Sequence, residues 1–318
     1  MKGEVKMAEK IATREAYGSA LAELGDKYDF VVLDADLAAA TKTGTFKKKF
    51  PERFFDCGIA EGNMMSVAAG LAAAGKTVFA SSFAMFAAGR AFEQVRNSIC
   101  YPHLNVKIGA THAGITVGED GATHQCIEDF ALMRSIPGMT VVNPADAVEA
   151  KAAVEAAINF DGPMYLRFGR YAVPVLYGDD YKFELGKGVQ MTEGNDLTIV
   201  ATGMLVGMSM EAAKILEERG IKARVINIHT IKPIDKDIIL KAAAETGAIV
   251  TAEEHNIIGG LGSAVAEVVG EGCPVPVIRL GVEDKFGHSG KVPPLLEMYG
   301  LTVENIVAKA EIALKMKK

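Results

Sequence analysis

Histidines and carboxylates are concentrated in one glycine-spaced segment of the sequence, residues 111–125. It contains His112, His124, Glu119 and Asp120. Glycine lets a backbone approach a ligand closely, and imidazole titrates near neutral pH, which suits proton transfer and hydroxyl binding. The spacing matches no common metal-ligand pattern, so no metal site is predicted. The segment indicates a loop that binds hydroxyl groups or moves protons; the alternative is an ordinary turn with surface histidines.

A second candidate is Glu61, in the segment DCGIAEGN at residues 56–63. A carboxylate at the start of a helix usually compensates the helix dipole. Here an almost wholly apolar stretch, residues 64–74, follows it. We therefore expect Glu61 to be buried, where a carboxyl group can share a proton with a ligand base.

Aromatic and cationic residues complete the set of candidates. Phe83 and Phe86 follow a predicted strand and form either ordinary core packing or a platform for a flat heterocycle. Arg14, Arg167 and Arg170 are isolated cations that either hold a phosphate bidentately or form salt bridges.

The elements that position these residues alternate between short β-rich runs and helical patterns, as in βαβ units on a parallel sheet. Strands are predicted at residues 30–33, 77–80, 106–109, 140–142 and 164–168, and in a second series at 197–201, 224–228, 248–252 and 277–280. Helices are predicted over 204–219, 235–246 and 261–269, ending at Gly220, Gly247 and Gly270. The fold class is therefore α/β, with two consecutive open domains whose mainly parallel sheets are flanked by helices.

The length of 318 residues is consistent with two domains. We assign residues 1–10 to an N-terminal extension, 11–170 to the first domain, 171–196 to a linker and 197–318 to the second domain. Ligands of such sheets lie at the carboxyl edge of the strands.

Composition excludes several classes of partner. The net charge of −6 and the absence of a long basic run disfavour nucleic acid and anionic membranes. The four scattered cysteines fit a reduced, cytoplasmic thiol set, and residues 1–10 are too charged for a signal peptide.

Taken in order, these segments resemble the transketolase family, and most closely the separate C-terminal chain of split transketolases. The resemblance extends from Ile11 to the C-terminus and is carried by six motifs: Ala12-Thr13-Arg14, Gly58-Ile59-Ala60-Glu61, Ser82-Phe83 with Phe86, Thr111-His112, Gly118-Glu119-Asp120-Gly121 with Thr123-His124-Gln125, and Leu166-Arg167.

The resemblance implies a pyrimidine-binding domain followed by the family's C-terminal domain, with thiamine diphosphate as cofactor. Glu61 matches the glutamate that hydrogen-bonds the aminopyrimidine ring, and Ile59, Phe83 and Phe86 match neighbours of that ring. The implied reaction transfers a two-carbon ketol unit between sugar phosphates in the pentose phosphate pathway.

The same resemblance implies the residues that bind substrate. His112, Asp120 and His124 match residues that face the sugar hydroxyls, with His112 and His124 also counted as catalytic. Arg14 and Arg167 match the arginines that hold the substrate phosphate.

Three positions depart from the family pattern. Gly89 stands where an aromatic residue is common, Ala113 where Asp is common, and Ala40, next to Thr41, where a phosphate-binding Ser is common. These departures concern the pocket wall and the phosphate site, not Glu61.

The family's Gly-Asp-Gly motif for diphosphate and Mg²⁺ is missing from the sequence. We therefore expect an N-terminal transketolase chain as partner, which supplies the diphosphate-binding domain and holds Mg²⁺, in an α2β2 heterotetramer.

Other functions remain open on the sequence. Deoxyxylulose phosphate synthases and the beta chains of 2-oxo acid dehydrogenases share the glutamate motif and domain order, and a non-catalytic regulatory subunit would keep the fold. The hypothesis of a flavodoxin-like electron carrier is weaker, because no glycine-rich phosphate loop follows the first predicted strand. Glu253, Glu254 and His255, before a glycine-rich segment, indicate either an anion site or, more simply, a tight turn with a capped helix.

Overall fold

The computed structural model describes residues 9–178 and 180–317. Residues 1–8 of the predicted N-terminal extension lie outside the described residues. The strands are β1 (Lys10–Ala12), β2 (Val31–Asp34), β3 (Phe54–Asp56), β4 (Val78–Phe83), β5 (Val106–Thr111), β6 (Thr140–Val142), β7 (Met164–Arg167), β8 (Ala172–Pro174), β9 (Val189–Thr192), β10 (Leu197–Ala201), β11 (Ala223–Asn227), β12 (Thr230–Lys232), β13 (Ile249–Asn256) and β14 (Val277–Val282).

The α-helices are α1 (Thr13–Leu24), α2 (Ala38–Thr41), α3 (Gly44–Lys49), α4 (Glu61–Ala73), α5 (Phe92–Gln94), α6 (Asp129–Ser135), α7 (Ala147–Asn159), α8 (Leu205–Glu218), α9 (Lys236–Thr246), α10 (Leu261–Gly272), α11 (Val292–Met298) and α12 (Val303–Met316). Two π-helical segments, Met85–Arg90 and Val95–Cys100, flank α5. None of the described helices is long and apolar enough to cross a membrane.

The first sheet has the strand order β12-β6-β7-β5-β4-β2-β3. All its pairs are parallel except the antiparallel pair of β12 with β6. Parallel strands need helical crossovers on the faces, which is why their sequences are continuous apolar runs. The five predicted strands of the first series are confirmed here.

The second sheet has the order β14-β13-β10-β11-β9, with β9 antiparallel to β11 and the other pairs parallel. All four predicted strands of the second series are confirmed. The α/β class with mainly parallel sheets flanked by helices is therefore confirmed.

The two halves are more closely joined than two separate series of strands would imply. Strand β12 belongs to the second half of the sequence but pairs with β6 at the edge of the first sheet. One cluster of buried apolar side chains includes Met139 and Val141 from the first half and Ile231 and Leu261 from the second. The halves therefore share a core.

The segment predicted as a linker, residues 171–196, contains β8 and β9. Strand β8 pairs with β1 near the start of the described chain, and β9 joins the second sheet. The segment is thus built into the fold at both ends, and the domain boundaries drawn from the sequence stay a prediction.

Two of the three predicted helix stops are confirmed. Gly220 and Gly247 adopt positive φ, at 79° and 69°, just past the ends of α8 and α9. The stop at Gly270 is wrong, because α10 runs on to Gly272. Gly270 is an exposed helical residue there, a position that tolerates glycine at a modest cost.

Candidate functional site

The predicted site residues meet at the carboxyl edge of the first sheet. Strands β4 and β5 end side by side, with Phe83 opposite Thr111 in the parallel register. The loop after β5 begins with His112, and α4, which begins at Glu61, follows β3. Ligands of open α/β sheets bind at this edge.

Glu61 is buried, with 2% of its surface exposed, at the first residue of α4. Its Oε2 accepts a hydrogen bond of 2.9 Å from Nη1 of Arg90, whose side chain is 53% exposed. No described residue donates a hydrogen bond to the other carboxylate oxygen of Glu61. The predicted burial is confirmed, and one oxygen is left for a ligand.

The two phenylalanines are neighbours in space. Their ring centroids lie 6.0 Å apart at an interplanar angle of 15°. Phe83 is buried, whereas Phe86 is partly exposed on the π-helical segment Met85–Arg90. The volume next to Gly89, where relatives of the family often carry an aromatic ring, is filled by the methyl group of Met85. The pocket wall is therefore closed by another residue of the same segment.

His112 is buried against Phe83, with ring centroids 3.8 Å apart. Its backbone has φ of 57°, an uncommon conformation for a residue with a side chain. Burial, followed by the charge of Arg14, lowers the pKa of His112 to about 3. The ring is thus neutral: Nε2 accepts from Nη1 of Arg14 at 2.8 Å, and Nδ1 donates to the Thr111 hydroxyl at 2.9 Å.

Arg14, near the start of α1, joins this group through its guanidinium. Besides His112, its Nη1 donates to the carbonyl oxygen of Ala40 at 3.1 Å. Burial lowers the pKa of Arg14, and its Nε is buried without a partner among the described residues. The residue keeps a donor for an anionic ligand.

Thr41, which stands beside the position of the missing serine, is not available for such a ligand. Its hydroxyl donates to the buried carboxylate of Asp34 at 2.7 Å, and Thr43 donates to the same oxygen at 2.8 Å. The two threonines hold Asp34 at the end of β2.

His124 and Asp120 border the same site from the loop that follows β5. The His124 ring lies edge-on to Phe83 and Phe86, with centroid distances of 6.2 Å and 5.3 Å. An Asp120 oxygen lies 3.7 Å from Nη1 of Arg170. Both loop residues are at least partly exposed.

Arg167 does not belong to this group, which corrects the prediction that it holds a phosphate. Its guanidinium is buried and donates to both oxygens of Asp129, through Nε at 2.8 Å and Nη2 at 3.3 Å. Nη2 also donates to the carbonyl oxygen of Glu254 at 2.8 Å. These internal contacts hold the Arg167 guanidinium between Asp129 of the first half and Glu254 of the second, because β7 points its side chain into the interface between the two halves.

Arg170 lies where Arg167 was expected. Its side chain is 35% exposed, lies beside Glu119 and Asp120, and donates to the carbonyl oxygen of Val117. The signal in the sequence was position: Arg167 lies inside a strand, whereas Arg170 lies beyond its carboxyl end.

Arg90 was missed altogether. It is four residues after Phe86, and its guanidinium lies 4.4 Å above the centroid of that ring. The spacing of four residues between Phe86 and Arg90 is the signal that could have indicated this contact, because such residues are neighbours on a helix surface.

The segment Glu253–His255 lies in strand β13, and Glu253 caps the start of the following helix α10, as the simpler interpretation predicts for the helix. The Glu253 carboxylate accepts from the backbone N–H groups of Leu261 at 2.6 Å and Gly262 at 2.8 Å. Glu254 accepts from Thr116 N at 2.7 Å, and His255 is buried against Phe130. The protein's own carboxylate occupies the position that an anion would take.

The arrangement is chemically specific. A buried carboxylate with one free oxygen lies near aromatic rings, which suits a flat heterocycle with a hydrogen-bond donor. The cations Arg14 and Arg170 lie close to two histidines and an aspartate, which suits a phosphorylated, hydroxylated ligand. No group of His, Cys, Asp or Glu among the described residues could hold a metal ion.

Comparisons with known proteins identify the family. Residues 9–175 match the pyrimidine-binding domain of transketolase, and residues 186–306 match the transketolase C-terminal domain. A Methanocaldococcus jannaschii protein, provisionally described as a transketolase C-terminal section, is 51% identical over 96% of each chain. A 6-deoxy-6-sulfo-D-fructose transketolase subunit of a Clostridium species is 46% identical over 96% of this chain and 95% of its own.

Solved structures give the same result. A split gene transketolase, described as an inactive beta4 tetramer, has a TM-score of 0.91 and 56% identity, covering 97% of this chain and all of its own. A Pichia stipitis transketolase has a TM-score of 0.82 and 26% identity, and this chain covers 46% of it. The chain belongs to the transketolase family and corresponds to the C-terminal subunit of its split members.

Proposed function

We propose that this chain is the C-terminal subunit of a thiamine diphosphate-dependent transketolase that transfers a two-carbon ketol unit between sugar phosphates. The observation that carries the proposal is the buried Glu61, whose partner Arg90 lies over Phe86, at the same sheet edge as Arg14 and Arg170. When bound, the cofactor supplies the carbon nucleophile for this class of reaction.

Glu61 would hold the pyrimidine ring of the cofactor through its free carboxylate oxygen and share a proton with the ring nitrogen. Phe83 and Phe86 would form the apolar wall that excludes water from this hydrogen bond. Ile59, which is 78% exposed, has little packing within the chain and would contact the cofactor or a partner.

The polar residues of the edge would bind the sugar phosphate. Both nitrogens of neutral His112 are bonded within the chain, to Arg14 and Thr111, so His112 would bind a sugar hydroxyl by exchanging one of these bonds. Asp120 would accept from hydroxyl groups, and His124 is the candidate for proton transfer. Arg14 and Arg170 would hold the phosphate group, since arginine pairs bidentately with such anions. We keep Arg14 from the sequence prediction and put Arg170 in place of Arg167.

The active site would be completed by a partner chain that binds the diphosphate and Mg²⁺. Ile59, Phe55 and Val67 form exposed apolar surface around the start of α4, at 78%, 44% and 39% exposure. A helix that carries a predicted cofactor ligand and exposes apolar residues beside it is suited to a subunit interface. We propose an N-terminal transketolase chain as this partner, in an α2β2 assembly.

The pathway and location are further parts of the proposal. We assign the subunit to pentose phosphate interconversion and to the cytoplasm, where the free thiols of Cys57, Cys100, Cys126 and Cys273 stay reduced. Two relatives are named for other sugars, 6-deoxy-6-sulfo-D-fructose and apulose 4-phosphate, so the assay should include several ketoses.

The test is reconstitution with the partner chain, thiamine diphosphate and Mg²⁺. We expect ketol transfer from a ketose phosphate to an aldose phosphate only when both chains are present. Turnover of pyruvate with glyceraldehyde phosphate, and none of ketose phosphates, would contradict the transketolase assignment.

A further inference from the structure

Arg90 contacts the two groups that we propose for the pyrimidine ring. Its Nη1 donates to Oε2 of Glu61 at 2.9 Å, and its guanidinium lies 4.4 Å above Phe86. Among the described residues, Arg90 makes no other side-chain hydrogen bond or salt bridge. A cationic side chain therefore neutralises one oxygen of the proposed acceptor and covers the face of Phe86 that a cofactor ring would pack against.

The pairing has a clear physical reason. A carboxylate that is 2% exposed loses most of its hydration, and an unpaired buried charge costs several kcal/mol. Arg90 is the salt-bridge partner that the described part of the chain offers Glu61. Arg90 thus serves as the counter-ion of Glu61 within the chain.

The counter-ion is free to leave, in contrast to a buried arginine such as Arg167. Arg90 has a side chain that is 53% exposed and a single hydrogen bond, whereas that of Arg167 is 4% exposed and donates to several internal acceptors. Arg90 can return to water by rotating its side chain, and water then hydrates the guanidinium.

We propose that Arg90 is a displaceable counter-ion of Glu61, which neutralises this carboxylate in the cofactor-free chain and leaves when the pyrimidine ring of thiamine diphosphate binds. The inference rests on the proposed function, since it assumes that the ring binds at Glu61. Arg90 then competes with the cofactor, and the measured affinity is reduced by the fraction of chains in the paired state.

The first experiment measures thiamine diphosphate binding to the reconstituted complex by calorimetry, with Mg²⁺ present. We expect Arg90→Gln to lower the Kd for thiamine diphosphate roughly fivefold to tenfold. The variant lacks the half-exposed ion pair and the cation–π contact that compete with the cofactor. The matched control is Arg96→Gln, an exposed arginine on the neighbouring π-helical segment that bonds only Asn97. An unchanged or higher Kd for Arg90→Gln overturns the inference.

The second experiment uses the isolated full chain without cofactor. Arg90→Gln should lower the midpoint of thermal unfolding more than Arg96→Gln does, and adding Glu61→Gln should restore part of the loss, because no buried charge is left. An additive double variant overturns the counter-ion role. If the wild-type complex binds no thiamine diphosphate, the proposed function fails, whereas the coupling in the isolated chain still tests the ion pair.

Discussion

The two larger sheets of this protein each place a buried glutamate at the carboxyl edge of their parallel strands, near the start of a helix, yet the two edges differ. At the first, which we call the open edge, Glu61 has one oxygen without a partner in the described chain and is paired with a half-exposed arginine. At the second, the sealed edge, both oxygens of Glu253 accept N–H groups of α10.

The difference separates a group placed for a ligand from one that stabilises the fold. The sealed edge pairs both of its glutamates internally: Glu253 bonds α10, and the side chain and carbonyl of Glu254 bond the first half. The open edge leaves donors and acceptors unused, at Arg14 Nε and at Glu61. Buried polar groups are normally paired, so we interpret the unused donor and acceptor at the open edge as groups available to a ligand.

The largest expected contrast is between Glu61→Gln and Glu253→Gln in the reconstituted enzyme. Glutamine at residue 61 can no longer share a proton, so we expect the turnover rate to fall by about 10²- to 10⁴-fold. Glu253→Gln should leave it within a few-fold. Initial rates at saturating cofactor measure both, and equal losses in the two variants would remove the distinction between the edges.

Arg167, the last residue of β7, and Arg170, just beyond it, should also differ: loss of the first should affect stability, and loss of the second should affect substrate binding. Arg167→Met leaves Asp129 buried without its counter-ion, so we expect a loss of about 3–5 kcal/mol in the free energy of unfolding. Arg170→Met removes exposed charge contacts of 3.7–3.8 Å and one hydrogen bond to the carbonyl oxygen of Val117, and should cost about 1 kcal/mol.

The readouts are urea unfolding of the isolated chain and the KM for the sugar phosphate. We expect Arg170→Met to raise the KM without changing the affinity for thiamine diphosphate. A stable Arg167→Met variant with a raised KM for the sugar phosphate would instead support Arg167 as the residue that binds the phosphate.

The smallest expected effect is a pH dependence at the sealed edge. Burial raises the pKa of Glu253 from 4.5 to about 7, although the N–H groups of Gly262 and Leu261 favour its charged form. The native state therefore holds this proton more tightly than the unfolded chain does. The resulting stability is present below pH 4.5 and is lost as the pH rises through 7.

The variant Glu253→Gln has no carboxyl group to titrate, so its stability should not fall in this way as the pH rises. It should be less stable than wild type at pH 5, and the difference between their unfolding midpoints should narrow by pH 8. A constant difference across this range would show that Glu253 stays charged in the native protein.

The sequence predicted much of this structure because the strongest signals are local. Apolar runs gave each of the nine predicted strands, and the glycine-spaced loop placed His112 and His124 near Phe83. One error is local, the helix stop at Gly270, and the others concern non-local features. Strand β12 crosses to the first sheet, which no pattern within residues 230–232 indicates.

The sequence by itself determined the fold class, the family and the residue types of the site, since these depend on periodicity and on motifs within short segments. Only the tertiary structure decided which arginine is free and which is locked. That choice depends on the direction in which a strand points a side chain and on the acceptors that distant segments bring to it. For Arg167 those acceptors are Asp129 and Glu254; for Arg90, the acceptor is Glu61, 29 residues away.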